Sequence, residues 1–296
     1  MHAKLISKRL LITGASGFIG KNLLESLEEK VESIIATYKK GPIPQNLKRR
    51  IQWVKNPSPQ LISDIVHKNN INVIMHLASP RSNSGEKDEF YITNCTMTEN
   101  LLKVSQSAKV DHFIFCSTGS VCNESCIELP DGFCPDISSK SDYTNSKAIG
   151  EMYTRRHGAT LNTLIFRIFH PYGKHGDFFL VNKLVKLIRN EELITIHGKY
   201  GPLLNPISVK DVCKAFELSM IQRKTGVINV GGPSYLTLYE LVKKIAHCLD
   251  VKLEVEHLKE KSDKNHACSI KYLAEYLNWS PQITIDEGLF DIYKNK

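Results

Sequence analysis

Three glycines, Gly14, Gly17 and Gly20, stand three residues apart between a short apolar run, Leu10-Leu11-Ile12, and a helical pattern carrying Leu23, Leu24 and Leu27. The order reads strand, tight turn, helix. Residues without a Cβ let the chain turn sharply and let backbone N–H groups come close to a bulky anion. The start of the following helix adds partial positive charge at the same place. With a strand before, a helix after and the hydrophobic Phe18-Ile19 inside it, the segment reads as a pyrophosphate cradle rather than a plain turn.

Further short apolar runs follow at 33–37, 51–54, 72–78, 112–117 and 162–167. Helical segments lie between them; in one, Met97, Leu101, Val104 and Ala108 share a face. Polar-poor runs such as Phe113-Ile114-Phe115 suit strands covered on both sides. The expected class is therefore α/β: a Rossmann-type parallel sheet with helices on both faces. The last 90 or so residues read differently. Thr237-Leu238-Tyr239-Glu240 is a capping box that opens a helix with Leu238, Leu241, Val242, Ile245 and Leu249 on one stripe. A second helix around Ile270, Leu273, Ala274 and Leu277 stops before Pro281. The expected organisation is a dinucleotide-binding domain at 1–168, to which 205–231 returns. A smaller C-terminal α/β substrate lobe takes 169–204 and 232–296.

Composition excludes other classes. With 42% hydrophobic and 24% charged residues in 296, disorder and coiled coil are set aside. Lys+Arg 39 against Asp+Glu 31 leaves +8, which favours anionic ligands in general. The basic residues are scattered and the longest run is Lys48-Arg49-Arg50, so no nucleic-acid partner is expected. The basic start is followed by an apolar stretch too short for a signal peptide, and no run approaches a membrane span. No membrane partner and a cytoplasmic location are the expectation. The eight cysteines, at 95, 116, 122, 126, 134, 213, 248 and 268, form no Cys-x-x-Cys pair. They are expected to be free thiols, with no metal site.

The end of the second strand bears on the cofactor. Dinucleotide folds that prefer NAD place an acid about 20 residues on, at the adenosine ribose. Here the segment is Ala36-Thr37-Tyr38-Lys39-Lys40. An ammonium attracts a 2′-phosphate where a carboxylate repels it, so Lys39 with Lys40 favours NADP(H), with NAD(H) as the alternative.

Tyr143 and Lys147 are spaced i, i+4, one above the other on a helix face. A nearby ammonium favours phenolate, so Lys147 is expected to lower the Tyr143 pKa for proton exchange near neutrality. Upstream, Cys116-Ser117-Thr118-Gly119-Ser120 follows the fifth strand run, where a hydroxyl would lie at the ligand-binding edge of the sheet.

Taken in order, the glycine turn, the Ser/Thr after the fifth strand and Tyr-x-x-x-Lys resemble the extended short-chain dehydrogenase/reductase family. This is the branch of nucleotide-sugar epimerases, dehydratases and reductases. Further similar segments are His76-Leu77-Ala78, Asn94, Arg167, Pro171-Tyr172-Gly173, Val209-Lys210-Asp211-Val212, Val227-Ile228-Asn229-Val230-Gly231-Gly232 and Leu277-Asn278-Trp279-Ser280-Pro281. The resemblance implies Tyr143 as acid/base, Lys147 as its partner at the nicotinamide ribose, and Thr118 in the Ser/Thr place. It implies Gly17, Phe18 and Ile19 at the pyrophosphate, Leu77 and Ala78 beside the adenosine and ribose, and Phe169 and His170 near the nicotinamide. His170 stands where the family often has Asn. The resemblance also implies a homodimer through helices near 94–108 and 143–156.

Departures from the family pattern narrow the reaction. Dehydratases of this group carry Asp-Glu directly after the Ser/Thr, whereas Gly119-Ser120 follows Thr118 here. The double epimerisation that leads to GDP-fucose uses an added Cys and His; Ser120 and Phe178-Phe179-Leu180 supply neither. An Arg-Asp pair often holds the substrate diphosphate, and its place here is Leu204-Asn205. Arg81, Lys183, Lys199 and Lys261 remain as anion partners for a nucleotide-diphosphate sugar. The leading expectation is NADPH-dependent reduction of a nucleotide-linked 4-keto-6-deoxy sugar. A nucleotide-hexose 4-epimerase with retained NAD is the alternative within enzymes. A non-catalytic NADP-binding redox sensor is the alternative outside them, and the intact Thr118, Tyr143 and Lys147 argue against it.

Overall fold

The computed structural model describes residues 5–41, 43–44, 47, 51–82, 85–122, 141–259 and 264–293. β1 (Arg9–Thr13), β2 (Ser33–Tyr38), β3 (Ile51–Lys55), β4 (Val73–His76), β5 (His112–Thr118), β6 (Thr163–Ile168) and a last strand, Gly226–Val230, make one seven-stranded sheet. Its order is last strand, β6, β5, β4, β1, β2, β3. β1 pairs in parallel with β2 and β4, as do β2 with β3 and β4 with β5. Leu10 thus faces Ile34 on one side and Val73 on the other. The central strands are largely apolar because both faces are covered: Leu10, Leu11 and Ile12 of β1 are buried, as are Phe113, Ile114 and Phe115 of β5.

The helices are α1 (Phe18–Leu27), α2 (Pro59–Lys68), α3 (Lys87–Tyr91), α4 (Met97–Ser107), α5 (Asp142–His157), α6 (Leu180–Arg189), α7 (Val209–Gln222), α8 (Leu238–Leu249), α9 (Lys271–Leu277) and α10 (Ile285–Tyr293). On one face Leu11, Ile74, Phe113 and Phe115 of the sheet pack with Ile62 and Val66 of α2 and Leu101 of α4. On β6, Phe166 meets Phe216 of α7 edge to face, with ring centroids 4.9 Å apart. One irregularity interrupts the run from α3 to α4: Ile92–Thr96 form a π-helical turn. Such turns insert an extra residue into a helix and re-aim its side chains. Here the turn lets the Asn94 carbonyl approach Gly150 of α5, where a Cβ would lie 2.5 Å from the carbonyl oxygen.

The chain divides into two compact units. The first holds the chain as far as Val121, the stretch ending at Arg167, and Cys213–Ile228; the second holds Ile168–Val212 and Asn229 onward. The second unit has its own core, in which Tyr172, Val181, Leu184, Ile188, Leu241 and Ile245 take part. Its strands are short pairs: Ile207–Ser208 with Pro171–Tyr172, Leu236–Thr237 with Leu203–Leu204, and Val255–Leu258 with Ile194–His197. The capping box of α8 is formed as its sequence requires, with the Thr237 hydroxyl accepting from Glu240 N. Asn278 ends α9 in the left-handed conformation that Asn tolerates at a helix C-terminus. The Asp211 carboxylate accepts the backbone N–H groups of Gln282 and Ile283 at 3.0 and 2.9 Å, which ties the segment before α10 to the start of α7.

No described helix is long and apolar enough to cross a membrane. Among the described residues, no three or more His, Cys, Asp or Glu side chains are grouped to hold a metal. Cys95, Cys116, Cys213, Cys248 and Cys268 are free thiols. Cys122 is disulfide-bonded, which corrects the expectation of eight free thiols. The expectation rested on metal-ligand spacing, whereas a disulfide needs only two Cα atoms about 4.4–6.8 Å apart. Cys126, Cys134 and the basic run at 48–50 lie outside the described residues.

Candidate active site

In the sheet, β2 and β3 lie on one side of β1, and β4, β5 and β6 on the other. The direction of winding reverses there, the place in open α/β sheets where ligands bind at the strand ends. Gly14 stands at that point with φ +67°, and a Cβ on it would lie 2.6 Å from both Cα and N of Ala78. The loop after β4, Leu77-Ala78, therefore rests against the turn after β1. The Thr13 hydroxyl joins the two strand ends, lying 2.6 Å from His76 Nδ1 and accepting from Ala78 N at 3.3 Å. Burial, followed by the Lys147 charge, pushes His76 down to about 3, so its ring is neutral.

Gly20 is constrained in the same way: a Cβ there would lie 2.6 Å from Gly14 O and 2.7 Å from Ala15 Cα. α1 consequently starts directly on the turn. Gly17 is its N-cap, no side chain caps it, and its first turn carries no acid. Phe18 and Ile19 open the helix, half-buried. A helix start reached over three positions without side chains fits the pyrophosphate of a dinucleotide.

At the end of β2 the Ser16 hydroxyl donates to Lys40 O at 2.9 Å, holding the following loop beside the glycine turn. Lys39 does not stand alone there. Its ammonium donates to Glu89 of α3 at 2.8 Å, and Lys39, with help from Lys40, holds the Glu89 carboxyl below its ordinary range. An acid thus shares the ground where the sequence placed only two lysines. It comes from a helix 50 residues away in the chain, and no local pattern announces it.

Thr118 ends β5, and its hydroxyl accepts from Ser120 N at 3.2 Å. Tyr143, in the first turn of α5, has its phenol beside the Thr118 side chain and packs edge to face on Phe90 at 5.6 Å. Lys147 is buried; its ammonium donates to the Cys116 carbonyl at 2.9 Å and lies 4.9 Å from the Phe115 ring centroid. Thr118, Tyr143 and Lys147 are thus brought together in the first unit. The expected lowering of the Tyr143 pKa is not found. Burial pushes the phenol up to about 12, opposed by the Thr118 side chain beside it. Lys147 itself falls to about 8 because its ammonium is taken out of water. Helical spacing put the two residues on one face of α5, but desolvation sets how tightly Tyr143 holds its proton.

The second unit carries other residues singled out in the sequence. Phe169 is buried, and His170 follows it with φ +44°. Asn and His are among the side chains that tolerate this left-handed region. His170 Nε2 lies 2.7 Å from His266 Nδ1, and Phe169 packs on the His266 ring at 5.0 Å. Burial, then His266, pushes His170 down to about 3. Asn205, in the place of the diphosphate-binding pair, is wholly buried. It donates to Cys268 O at 2.9 Å and accepts from Cys268 N at 3.1 Å. Both halves of its amide are occupied as in a backbone ladder. Lys183 is exposed on α6, and Lys199 is exposed after Ile194–His197 with its ammonium 4.9 Å from the Tyr200 ring centroid. Arg81 is exposed in the first unit, and Lys261 lies outside the described residues.

Residues 10–231 match the model of the NAD dependent epimerase/dehydratase family. The chain is 27% identical to UDP-glucuronic acid decarboxylase 3 of Arabidopsis thaliana over 302 residues, covering 95% of this chain and 86% of that one. It is 26% identical to dTDP-4-dehydro-6-deoxyglucose reductase of Escherichia coli over 314 residues, covering 97% and 96%. Among solved structures, dTDP-glucose 4,6-dehydratase of Bacillus anthracis, in complex with NAD, superposes with TM-score 0.82 at 22% identity over 97% of this chain and 96% of that one. UDP-glucose 4-epimerase of Thermotoga maritima, with UDP-glucose, superposes with TM-score 0.82 at 22% identity over 95% and 96%. The chain belongs to the NAD dependent epimerase/dehydratase family, the extended short-chain dehydrogenases/reductases.

Replacing Gly14 by Ala forces a left-handed alanine into the Ala78 backbone. The expected result is a dinucleotide affinity lower by tenfold or more, roughly the ~1–2 kcal/mol that such a conformation costs an L-residue, before the clash is added. Titration of NADPH fluorescence measures it, and an unchanged affinity would show that the turn is not the cradle.

Proposed function

We propose that this enzyme reduces a nucleotide-linked 4-keto-6-deoxy sugar with NADPH, using Tyr143 as the proton donor. The observation that carries the reading is the Tyr143 phenol set beside the Thr118 side chain at the end of β5, on the helix that carries the buried Lys147. Gly119 and Ser120 follow Thr118, so no carboxylate adjoins the hydroxyl to run a dehydration. The relationship to the Escherichia coli dTDP-4-dehydro-6-deoxyglucose reductase supports the substrate class.

The glycine turn and the start of α1 would hold the dinucleotide, with Leu77 and Ala78 at its adenosine side and Phe169 and His170 toward the nicotinamide. When bound, the dinucleotide supplies hydride. Tyr143 is a neutral phenol at pH 7, since burial holds its proton on. It donates that proton to the substrate C4 oxygen as negative charge develops there, with the Thr118 hydroxyl donating to the same oxygen. The phenolate left behind takes a proton back from solvent. Arg81, Lys183, Lys199 and Lys261 are the proposed partners of the substrate diphosphate.

A second reading, a nucleotide-hexose 4-epimerase with retained NAD, is favoured by one observation: Glu89 occupies the Lys39 ammonium and lessens its pull on a 2′-phosphate. A panel of nucleotide 4-keto sugars assayed for NADPH and NADH oxidation separates the two. Oxidation of NADPH by dTDP-4-dehydro-6-deoxyglucose is the expected result. Interconversion of UDP-hexoses without added dinucleotide, or carbon dioxide release from UDP-glucuronic acid, would overturn it.

In that assay Tyr143→Phe is expected to lower turnover by about 10²-fold or more, with dinucleotide affinity little changed. Glu89→Gln frees Lys39 and is expected to raise the preference for NADPH over NADH by about two- to fivefold, the scale of an exposed ion pair. The ratio of kcat/KM values for the two coenzymes reads this out. We also propose a homodimer through α4 and α5, supported by the exposure of Ile92 (62%) and of Met152 (47%) on α5. Light scattering is expected to give twice the chain mass.

A further inference from the structure

α5 carries Tyr143, Lys147 and Glu151 at intervals of four, so the three side chains rise along one face. The first two belong to the proposed reaction; Glu151 has no part in it so far. It is wholly buried, as is Arg167 of β6. Arg167 Nε donates to Glu151 Oε1 at 2.9 Å and Oε2 at 3.2 Å, and its Nη2 donates to Oε2 at 2.6 Å. The Ser117 hydroxyl donates to Oε1 at 2.6 Å. Arg155 Nη2, on the same helix, stands 4.0 Å from Oε2.

This carboxylate therefore clasps three elements. Its own helix carries the proton donor. Ser117 on β5 is the residue before Thr118. Arg167 on β6 presents a planar fork that accepts only a narrow range of carboxylate positions. A shift of α5 along the sheet would stretch all of these bonds together.

We propose that Glu151 is a positioning residue for the reaction: clamped by Arg167 and Ser117, it holds α5 in register over the end of β5, so that Tyr143 meets Thr118 and the Lys147 ammonium stays charged on the Cys116 carbonyl. The proposal rests on the assignment of Tyr143 as proton donor made above.

The surroundings of Lys147 make the role electrostatic as well as geometric. His76 faces it from β4, Cys95 from the π turn, Cys116 from β5 and Glu151 from α5, the helix that also carries Tyr143. Burial pushes both thiols up to about 11, Tyr143 up to about 12 and His76 down to about 3. All four are uncharged at neutral pH. Glu151 is then the one anion among these described neighbours, and it raises the Lys147 pKa against the burial that lowers it to about 8. The sign follows: Lys147 is charged below its pKa, and turnover that needs the ammonium is lost as pH rises through it. Removing the Glu151 charge moves that loss to lower pH.

The test compares wild type, Glu151→Gln and Ser117→Ala as full-length proteins. Melting temperature, the pH dependence of NADPH binding by fluorescence, and kcat and KM with dTDP-4-dehydro-6-deoxyglucose are measured. Glu151→Gln is expected to move the alkaline loss of activity and of NADPH binding down by about one pH unit. Its kcat is expected to fall about tenfold or more, with the coenzyme KM changed less than about threefold. A purely structural residue would lower the melting temperature without moving that limb. A folded Glu151→Gln protein with wild-type kcat and an unmoved limb overturns the proposal. If this variant does not fold, Ser117→Ala decides, because it keeps the ion pair. A several-fold lower kcat at wild-type melting temperature and NADPH affinity supports the clamp, and an unchanged kcat overturns it. If wild type reduces no 4-keto sugar, the substrate reading fails by itself. The NADPH-binding limb then decides the clamp alone: a limb lowered in Glu151→Gln supports it, and an unmoved one overturns it.

Discussion

The backbone of Ala78 lies where a side chain on residue 14 would have to be. Much of the site depends on that approach. It brings the loop after β4 against the turn after β1, at the place where the sheet changes its winding direction. Gly20 allows the next step, the start of α1 on the carbonyl of Gly14. Thr13 then joins both strand ends through its hydroxyl, and Ser16 holds the loop after β2 alongside. The dinucleotide cradle proposed there would need little from side chains, because its donors would be backbone N–H groups and a helix end. The side chains that matter at its rim, Lys39 and Glu89, adjust charge rather than shape.

Burial sets the chemistry at the neighbouring strand end. β5 is apolar on both faces, so Thr118, Tyr143 and Lys147 stand at the edge of a dry sheet rather than in a solvated loop. Desolvation keeps the Tyr143 proton in place and keeps His76 neutral. It works against the Lys147 charge, and α5 answers with a carboxylate one turn further on. The fully buried Glu151–Arg167 pair is costly to desolvate, and its forked geometry with an added Ser117 hydroxyl is what such pairs need to offset that cost.

The main elements were legible because buried parallel strands and amphipathic helices write themselves into apolar spacing. The run Phe113-Ile114-Phe115 belongs to a strand covered on both faces, and the Thr237–Glu240 capping box opens α8 as its residues require. The glycine turn and Tyr143–Lys147 were legible for a related reason: each is a local pattern on one element. Glu151 lay within the same spacing, one turn past Lys147, and could have been found by continuing the stripe. Its partner Arg167 could not, since only packing puts β6 there. Asn205 shows the limit from the other side. The resemblance sets it at a diphosphate-binding place, yet its amide is consumed by the backbone of Cys268, 63 residues on.

Local patterns therefore determined the fold class, the glycine turn and the Tyr143–Lys147 pair on one helix face, because each is written in residues a few positions apart, while Thr118 was singled out by the family resemblance. The tertiary structure decided what those groups are electrically. It joined Lys39 to Glu89, gave His170 a left-handed backbone and a His266 partner, and reversed the expected shift of Tyr143. Charge pairing and desolvation depend on which distant elements lie within a few ångströms and on how much water they exclude. Neither quantity is carried by the spacing of residues along the chain.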